Sequence, residues 1–260
     1  MNAIELFAGA GGLGLGLSQA GIHVALANEI EPDFARTYAL NHPNTQVINQ
    51  DIHQINWENI QQELPLIDLI VGGPPCQGFS TLGSKNQQDP RNSLLHEYLR
   101  CVTIIKPRYI LFENVAGFMR LYEGTSYKTL MHELNKLGYA CHTAILEASN
   151  YGLPQKRQRT IIVGWKKNLH PIPFPSHTHT IQPSLLEQNS KLTLWEAISD
   201  LPSIGHHDAA HHYLTPPQNF YQQSMRQDCH VLTEHNSTNY GEKMQQILAL
   251  VPQGGSVEDL

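Results

Sequence analysis

Short apolar runs alternate with amphipathic stretches from residue 2 to about residue 165, and this alternation restricts the chain more than any other feature. Runs at 2–7, 23–28, 45–49, 66–71 and 109–113 have the branched, apolar character of buried strands. Between them, residues 12–20 read as a first helix. Pro32 can take the first position of a second, with Phe34, Ala35, Tyr38 and Ala39 on one face. Asp89-Pro90 gives an N-cap and a first-turn proline to a third, which spaces Leu94, Leu95, Tyr98, Leu99, Val102 and Ile105 at near-helical intervals. A helix over 126–137 and strands over 140–147 and 160–165 complete the series. Alternating βα units predict an α/β fold built on a doubly wound, mostly parallel sheet. Such sheets keep their active sites at the carboxyl ends of the strands.

Two strand-end loops carry candidate chemistry. Gly72-Gly73-Pro74-Pro75-Cys76-Gln77-Gly78-Phe79-Ser80 follows the apolar run at 67–71. A cysteine in a rigid Pro-Pro turn at that place is a candidate nucleophile, because thiolates are the strongest common protein nucleophiles near neutral pH. A small buried cysteine beside a strand end is the plainer alternative. The second loop, Phe7-Ala8-Gly9-Ala10-Gly11-Gly12-Leu13-Gly14, joins the first strand to the first helix. Gly9, Gly11 and Gly14 satisfy dinucleotide spacing, and Glu29 lies twenty residues after Gly9. That pattern points to an adenosine-containing cofactor across the strand ends, with Glu29 accepting from ribose hydroxyls and Asp51 from an adenine amino group. A nicotinamide dinucleotide and S-adenosylmethionine both satisfy it; glycines needed only for the turn are the other reading.

Composition narrows the setting. Seventeen basic against 23 acidic side chains give a net charge of -6, which argues against a self-sufficient DNA clamp but leaves room for a local basic patch or a basic partner. Four scattered cysteines (76, 101, 141 and 229) suit a reducing compartment, with Cys101 and Cys141 among apolar residues. His206-His207 and His211-His212 lack a matching Cys or carboxylate cluster, so no metal is expected. No apolar run approaches a membrane span and no basic signal region opens the chain, so the expectation is a soluble, cytoplasmic protein. The texture changes beyond about residue 168, and residues 169–260 read as an irregular extension. Within it, a helix over 194–200 starts with capping-box spacing between Thr193 and Glu196, and another spans 242–250.

Taken together, these segments resemble the DNA cytosine-5 methyltransferases over about residues 2–165. The glycine loop with Phe7 is similar to that family's first motif and Pro74-Pro75-Cys76-Gln77 to its catalytic motif. Glu113-Asn114-Val115 is similar to its Glu-Asn-Val motif, and Gln155-Lys156-Arg157-Gln158-Arg159 to its Gln-x-Arg-x-Arg motif. The resemblance implies a Rossmann-like fold of the S-adenosylmethionine-dependent methyltransferase type, with 1–168 as the catalytic and cofactor-binding domain. It implies that Cys76 attacks C6 of a cytosine flipped out of double-stranded DNA, that Glu113 contacts the N3 and N4 edge, and that Arg157 and Arg159 hold the base. Phe7, Glu29, Ile30, Asp51 and Ile52 then fall where relatives hold adenosine, and Pro75 and Leu94 on the methionine side. Ala8, Gly9, Ala10, Gly11 and Gly12 complete the cofactor loop.

The family's target-recognition region and closing segment are not visible before Leu260. The chain therefore resembles the catalytic subunit of a split restriction-modification methyltransferase, or a truncated one, whose partner supplies both. Three rivals stand beside it. A transfer-RNA cytosine-5 methyltransferase is disfavoured by Gln77-Gly78-Phe79-Ser80, and a non-catalytic DNA-binding subunit by the intact set Cys76, Glu113 and Arg159. A nicotinamide-dependent oxidoreductase has only the glycine spacing behind it.

Overall fold

The computed structural model describes residues 1–75, 93–181, 189–227, 229–252 and 254–257. Seven strands form one sheet: β1 (Asn2–Leu6), β2 (His23–Asn28), β3 (Gln46–Ile48), β4 (Leu69–Gly72), β5 (Tyr109–Val115), β6 (Tyr139–Glu147) and β7 (Gln158–Lys166). Their order is β3-β2-β1-β4-β5-β7-β6. All pairs from β3 to β5 are parallel, and β7 lies antiparallel between β5 and β6. The fold is the expected α/β, mostly parallel, doubly wound sheet. From β1 the chain winds outward through β2 and β3, then returns to place β4 on the other side. The switch point of the sheet therefore lies between β1 and β4, where such folds bind ligands.

Strand periodicity divides the core. Ile4 and Leu6 of β1, Ile70 of β4 and Ile110 and Phe112 of β5 pack on one face against α4 (Ser93–Ile105) and α5 (Thr125–Lys136). Leu95, Tyr98, Leu99, Val102 and Ile105 supply the buried face of α4. Ala3, Leu69 and Val71 point the other way, toward Leu17 of α1 (Gly12–Gln19). Cys101 is fully buried in the first cluster and Cys141 packs against it, so burial pushes both thiols up.

Local differences from the sequence reading have physical causes. β4 starts at Leu69 instead of 66, because Leu66 is 81% exposed and has no buried face to join. In α2 (Pro32–Asn41) only Ala35 and Tyr38 are buried, whereas Phe34, expected on the same face, is half exposed. The helix α3 (Trp57–Glu63) was not expected from periodicity; Asn56 caps it by accepting from Asn59 N–H, and Trp57 is fully buried. The Asp89-Pro90 helix start and Cys76 lie outside the described residues.

Two compact units divide the chain. Met1–Asn150 with Lys156–His177 contains the seven-stranded sheet; Tyr151–Gln155 with Thr178–Leu260 forms the other. Among its described residues the second unit has a short parallel pair, β8 (His179–Thr180) and β9 (Asn189–Ser190), and the helices α6 (Leu194–Ile198), α7 (Phe220–Arg226) and α8 (Glu242–Leu250). Thr193 and Glu196 form the expected capping box, though α6 ends at Ile198, short of residue 200. The unexpected α7 is capped by Asn219 and tied through Arg226, whose Nε donates to Asp200 at 2.8 Å while its guanidinium covers the Tyr213 ring. No helix among the described residues is long and apolar enough to cross a membrane.

Candidate active site

The parallel register aligns the strand ends. Leu6 pairs with Asn28 on one side and Gly72 on the other, and Gly72 pairs with Phe112. The next residue of each strand, namely Phe7, Glu29, Gly73 and Glu113, therefore falls along one edge of the sheet. Phe7 adopts a left-handed backbone (φ 57°), which for a residue with a side chain costs about 1–2 kcal/mol. Hydrogen bonds hold the turn: Ala8 N–H donates to Asn28 carbonyl at 3.0 Å and Gly11 N–H to Ala8 carbonyl at 3.1 Å.

Beneath this loop sits a buried carboxyl group. Glu5 is 1% exposed and accepts from Gly14 N–H at 3.1 Å and from Tyr38 Oη–H at 2.7 Å. Burial pushes Glu5 up to about 7, against the opposing hydrogen bonds from Tyr38 and Gly14. Burial likewise raises the Tyr38 hydroxyl, followed by the repulsion of Glu5. A Cβ on Gly14 would lie 2.5 Å from both Glu5 Oε2 and Tyr38 Oη, so only glycine fits. Gly14→Ala is expected to lower stability by about 3 kcal/mol, the sum of overpacking and a disrupted buried hydrogen-bond pair. Urea unfolding measures it, and a loss below about 1 kcal/mol would contradict the packing described.

Glu5 also makes a pH prediction. Between its ordinary value of 4.5 and about 7, the folded chain holds a proton that the unfolded chain releases. Its contribution is thus complete below 4.5 and is lost as pH rises to about 7. Relative to Glu5→Gln, the parent should lose stability on the order of 3 kcal/mol across that window. Parallel denaturation curves at pH 5 and pH 8 check this; a constant difference between the two proteins would refute it.

A cavity of about 320 Å³ opens over the strand ends, lined by Phe7, Gly9, Asn28, Glu29, Ile30, Glu31, Phe34, Asp51, Ile52, Pro75 and Leu94. Its volume is that of a small-ligand site. Glu29 is buried and accepts from Gly9 N–H at 2.7 Å and Glu31 N–H at 2.9 Å, which uses two of its roughly four acceptor positions. Asp51 accepts from His53 N–H at 3.0 Å, and that bond first, then the His53 ring, holds its carboxyl below the usual carboxylate range. Eight residues proposed from the sequence share this lining: Phe7, Gly9, Glu29, Ile30, Asp51, Ile52, Pro75 and Leu94. Ala8 and Gly11 instead build the turn, and Ala10 and Gly12 are exposed.

The other end of the edge carries a charge pair. Register sets Val115 opposite Arg159 across β5 and β7, and Arg159 Nε lies 2.8 Å from Glu113 Oε1. A Cβ on Gly73 would come within 2.8 Å of Glu113 Oε2, so the glycine makes room for the carboxylate beside the Pro-Pro turn. Arg157 is exposed just before β7, its carbonyl accepting from Ala148 N–H. Glu113, Arg159 and Gly73 therefore converge, although they are far apart in sequence.

This arrangement coincides with a match to the family model described as C-5 cytosine-specific DNA methylase over residues 1–254. The chain belongs to that family. It is 35% identical over 263 residues to the type II methyltransferase M.DdeI of Desulfomicrobium norvegicum, an alignment covering 99% of this chain and 62% of the relative. It is 36% identical over 218 residues to the type II methyltransferase M.AquIA of Picosynechococcus sp., covering 76% of this chain and 88% of that one. Among solved structures, a protein described as a DNA modification methyltransferase encoded within an E. coli prophage superposes with a TM-score of 0.78 at 25% identity, over 96% of this chain and 75% of its own. The chain spans 60–63% of the length of the first three curated relatives it matches.

Several residues of this candidate site escaped the sequence reading. Asn28, Glu31 and Phe34 line the cavity; helical spacing puts Phe34 on one face with Ala35 and Tyr38 without saying what that face meets. Glu5 was read as part of an apolar strand. A lone carboxylate inside such a run, nine residues before Gly14, was the available signal.

Proposed function

We propose that this methylase transfers a methyl group from S-adenosylmethionine to C5 of a cytosine flipped out of double-stranded DNA, through a transient bond between Cys76 Sγ and C6. The observation that carries the reading is the Glu113–Arg159 pair set against Gly73, on the same sheet edge as an acid-rimmed cavity.

The cavity chemistry favours S-adenosylmethionine over a nicotinamide dinucleotide. Glu29, Glu31 and Asp51 line it without any Lys or Arg among the described lining, which suits a sulfonium cation and opposes a pyrophosphate. The Gly14 amide, in the first turn of α1, already serves Glu5 and is not free for a phosphate. In this reading Phe7, Ile30 and Ile52 flank the adenosine, Glu29 takes the ribose hydroxyls, Asp51 the adenine amino group, and Pro75 and Leu94 the methionine side. When bound, S-adenosylmethionine supplies an electrophilic methyl group. The Cys76 thiolate adds to C6 and makes C5 electron-rich, which an aromatic C5 otherwise is not. Glu113 holds the N3 and N4 edge as charge shifts onto the ring, while Arg159 and Arg157 hold the base. After transfer a base in solution removes the C5 proton, the C6–S bond breaks and Cys76 is released as thiolate.

The same reading assigns target recognition and closure of the cofactor site to a second subunit. The net charge of -6 supports a division of labour in which the partner presents the basic surface. The enzyme would act in the cytoplasm. The test is transfer of tritium-labelled methyl groups to duplex DNA and to RNA, with and without the complementing subunit. Label recovered as 5-methylcytosine in DNA is expected; label confined to RNA, or none in either, would overturn the proposal.

A further inference from the structure

The turn that leads to Cys76 begins with a backbone problem. Pro74 and Pro75 carry no N–H, so the chain cannot donate to a neighbouring strand at either position, and the parallel ladder between β4 and β5 ends at Gly72 and Phe112. Pro74 is nevertheless buried, and its carbonyl needs a donor. Asn114, two residues past Phe112 and 3% exposed, provides it: Nδ2 donates to the Pro74 carbonyl at 3.2 Å. The Oδ1 of the same amide accepts from Val115 N–H at 2.9 Å, which fixes the amide so that its nitrogen faces Pro74. Thr160 Oγ1 donates to the Val115 carbonyl at 3.1 Å and secures the strand end behind it.

We propose that Asn114 is a positioning residue for the nucleophile, replacing the missing ladder hydrogen bond at Pro74 and so fixing the direction in which the chain leaves β4 toward Cys76. The inference rests on the reading of Cys76 as nucleophile. It requires a donor at position 114, because an ionised aspartate would turn a carboxylate oxygen toward the Pro74 carbonyl, whereas a protonated one has an O–H to give.

The test follows covalent complex formation between the full protein, with its complementing subunit and S-adenosylmethionine, and duplex DNA containing 5-fluorocytosine. Asn114→Asp should slow complex formation about 100-fold at pH 8, the scale expected for a nucleophile displaced by about an ångström. At pH 5.5 the rate relative to the parent should recover at least fivefold for Asn114→Asp and not for Asn114→Ala. A parental rate for Asn114→Asp, or an equal deficit at both pH values, overturns the inference. Should Asn114→Ala fail to fold, the two pH values for Asn114→Asp decide alone. A parent that forms no complex, or a Cys76→Ser variant that does, overturns the reading beneath it instead.

Discussion

Under the proposed mechanism, Cys76→Ser is expected to lower methyl transfer by about 10⁴-fold or more, and to remove the covalent complex with 5-fluorocytosine DNA altogether. Serine is close in size to cysteine and leaves the preceding Gly73-Pro74-Pro75 unchanged. What disappears is a thiol, whose sulfur is a far stronger nucleophile than a hydroxyl oxygen. C5 of cytosine gains its reactivity only after C6 has been attacked, so the loss falls on the chemical step rather than on binding. Affinity for S-adenosylmethionine should stay within a few-fold of the parent. The initial rate of labelled methyl transfer is the measurement, and a serine variant retaining a tenth of parental turnover would end the covalent mechanism.

Glu113→Gln follows, with an expected loss of about 10³ in single-turnover rate, near 4 kcal/mol of transition-state stabilisation. Glutamine preserves the length of the side chain and its contact with Gly73, where a Cβ would already come within 2.8 Å of Glu113 Oε2. It removes the negative charge 2.8 Å from Arg159 Nε. Both side chains are partly exposed, at 26% for Arg159 and 31% for Glu113, so the pair adds little to folding stability. The deficit should therefore appear in the rate and barely in the melting temperature. A rate within tenfold of the parent would mean that Glu113 merely anchors Arg159.

Much of this was written in the chain's local chemistry. The strand–glycine-loop–helix run from residue 2 to residue 20 was legible because the left-handed backbone at Gly9 and Gly11 and the side chains crowding Gly14 favour glycine. Other features depend on partners remote in sequence. β7 lies between β5 and β6, an order that alternation alone does not specify, and that insertion sets Arg159 beside Glu113. Asn114 looked like one member of a tripeptide, and only the buried Pro74 carbonyl gives it a task. Phe34 has the spacing of a core residue but lies at the cavity, since helical period fixes a face without saying what that face meets. Cys76 is proposed from residue type and place in the sequence alone, and it lies outside the described residues.

The position of β7 has a consequence for biogenesis. A ribosome emits Glu113 well before Arg159, and the antiparallel pairing of Val115 with Arg159 can form only once residue 159 has emerged to take its place between β5 and β6. Such sequence-distant pairing is slow to nucleate. An unfinished polypeptide would thus carry a pocket without a working charge pair, and competence for chemistry would arrive late, with closure of the last central strand.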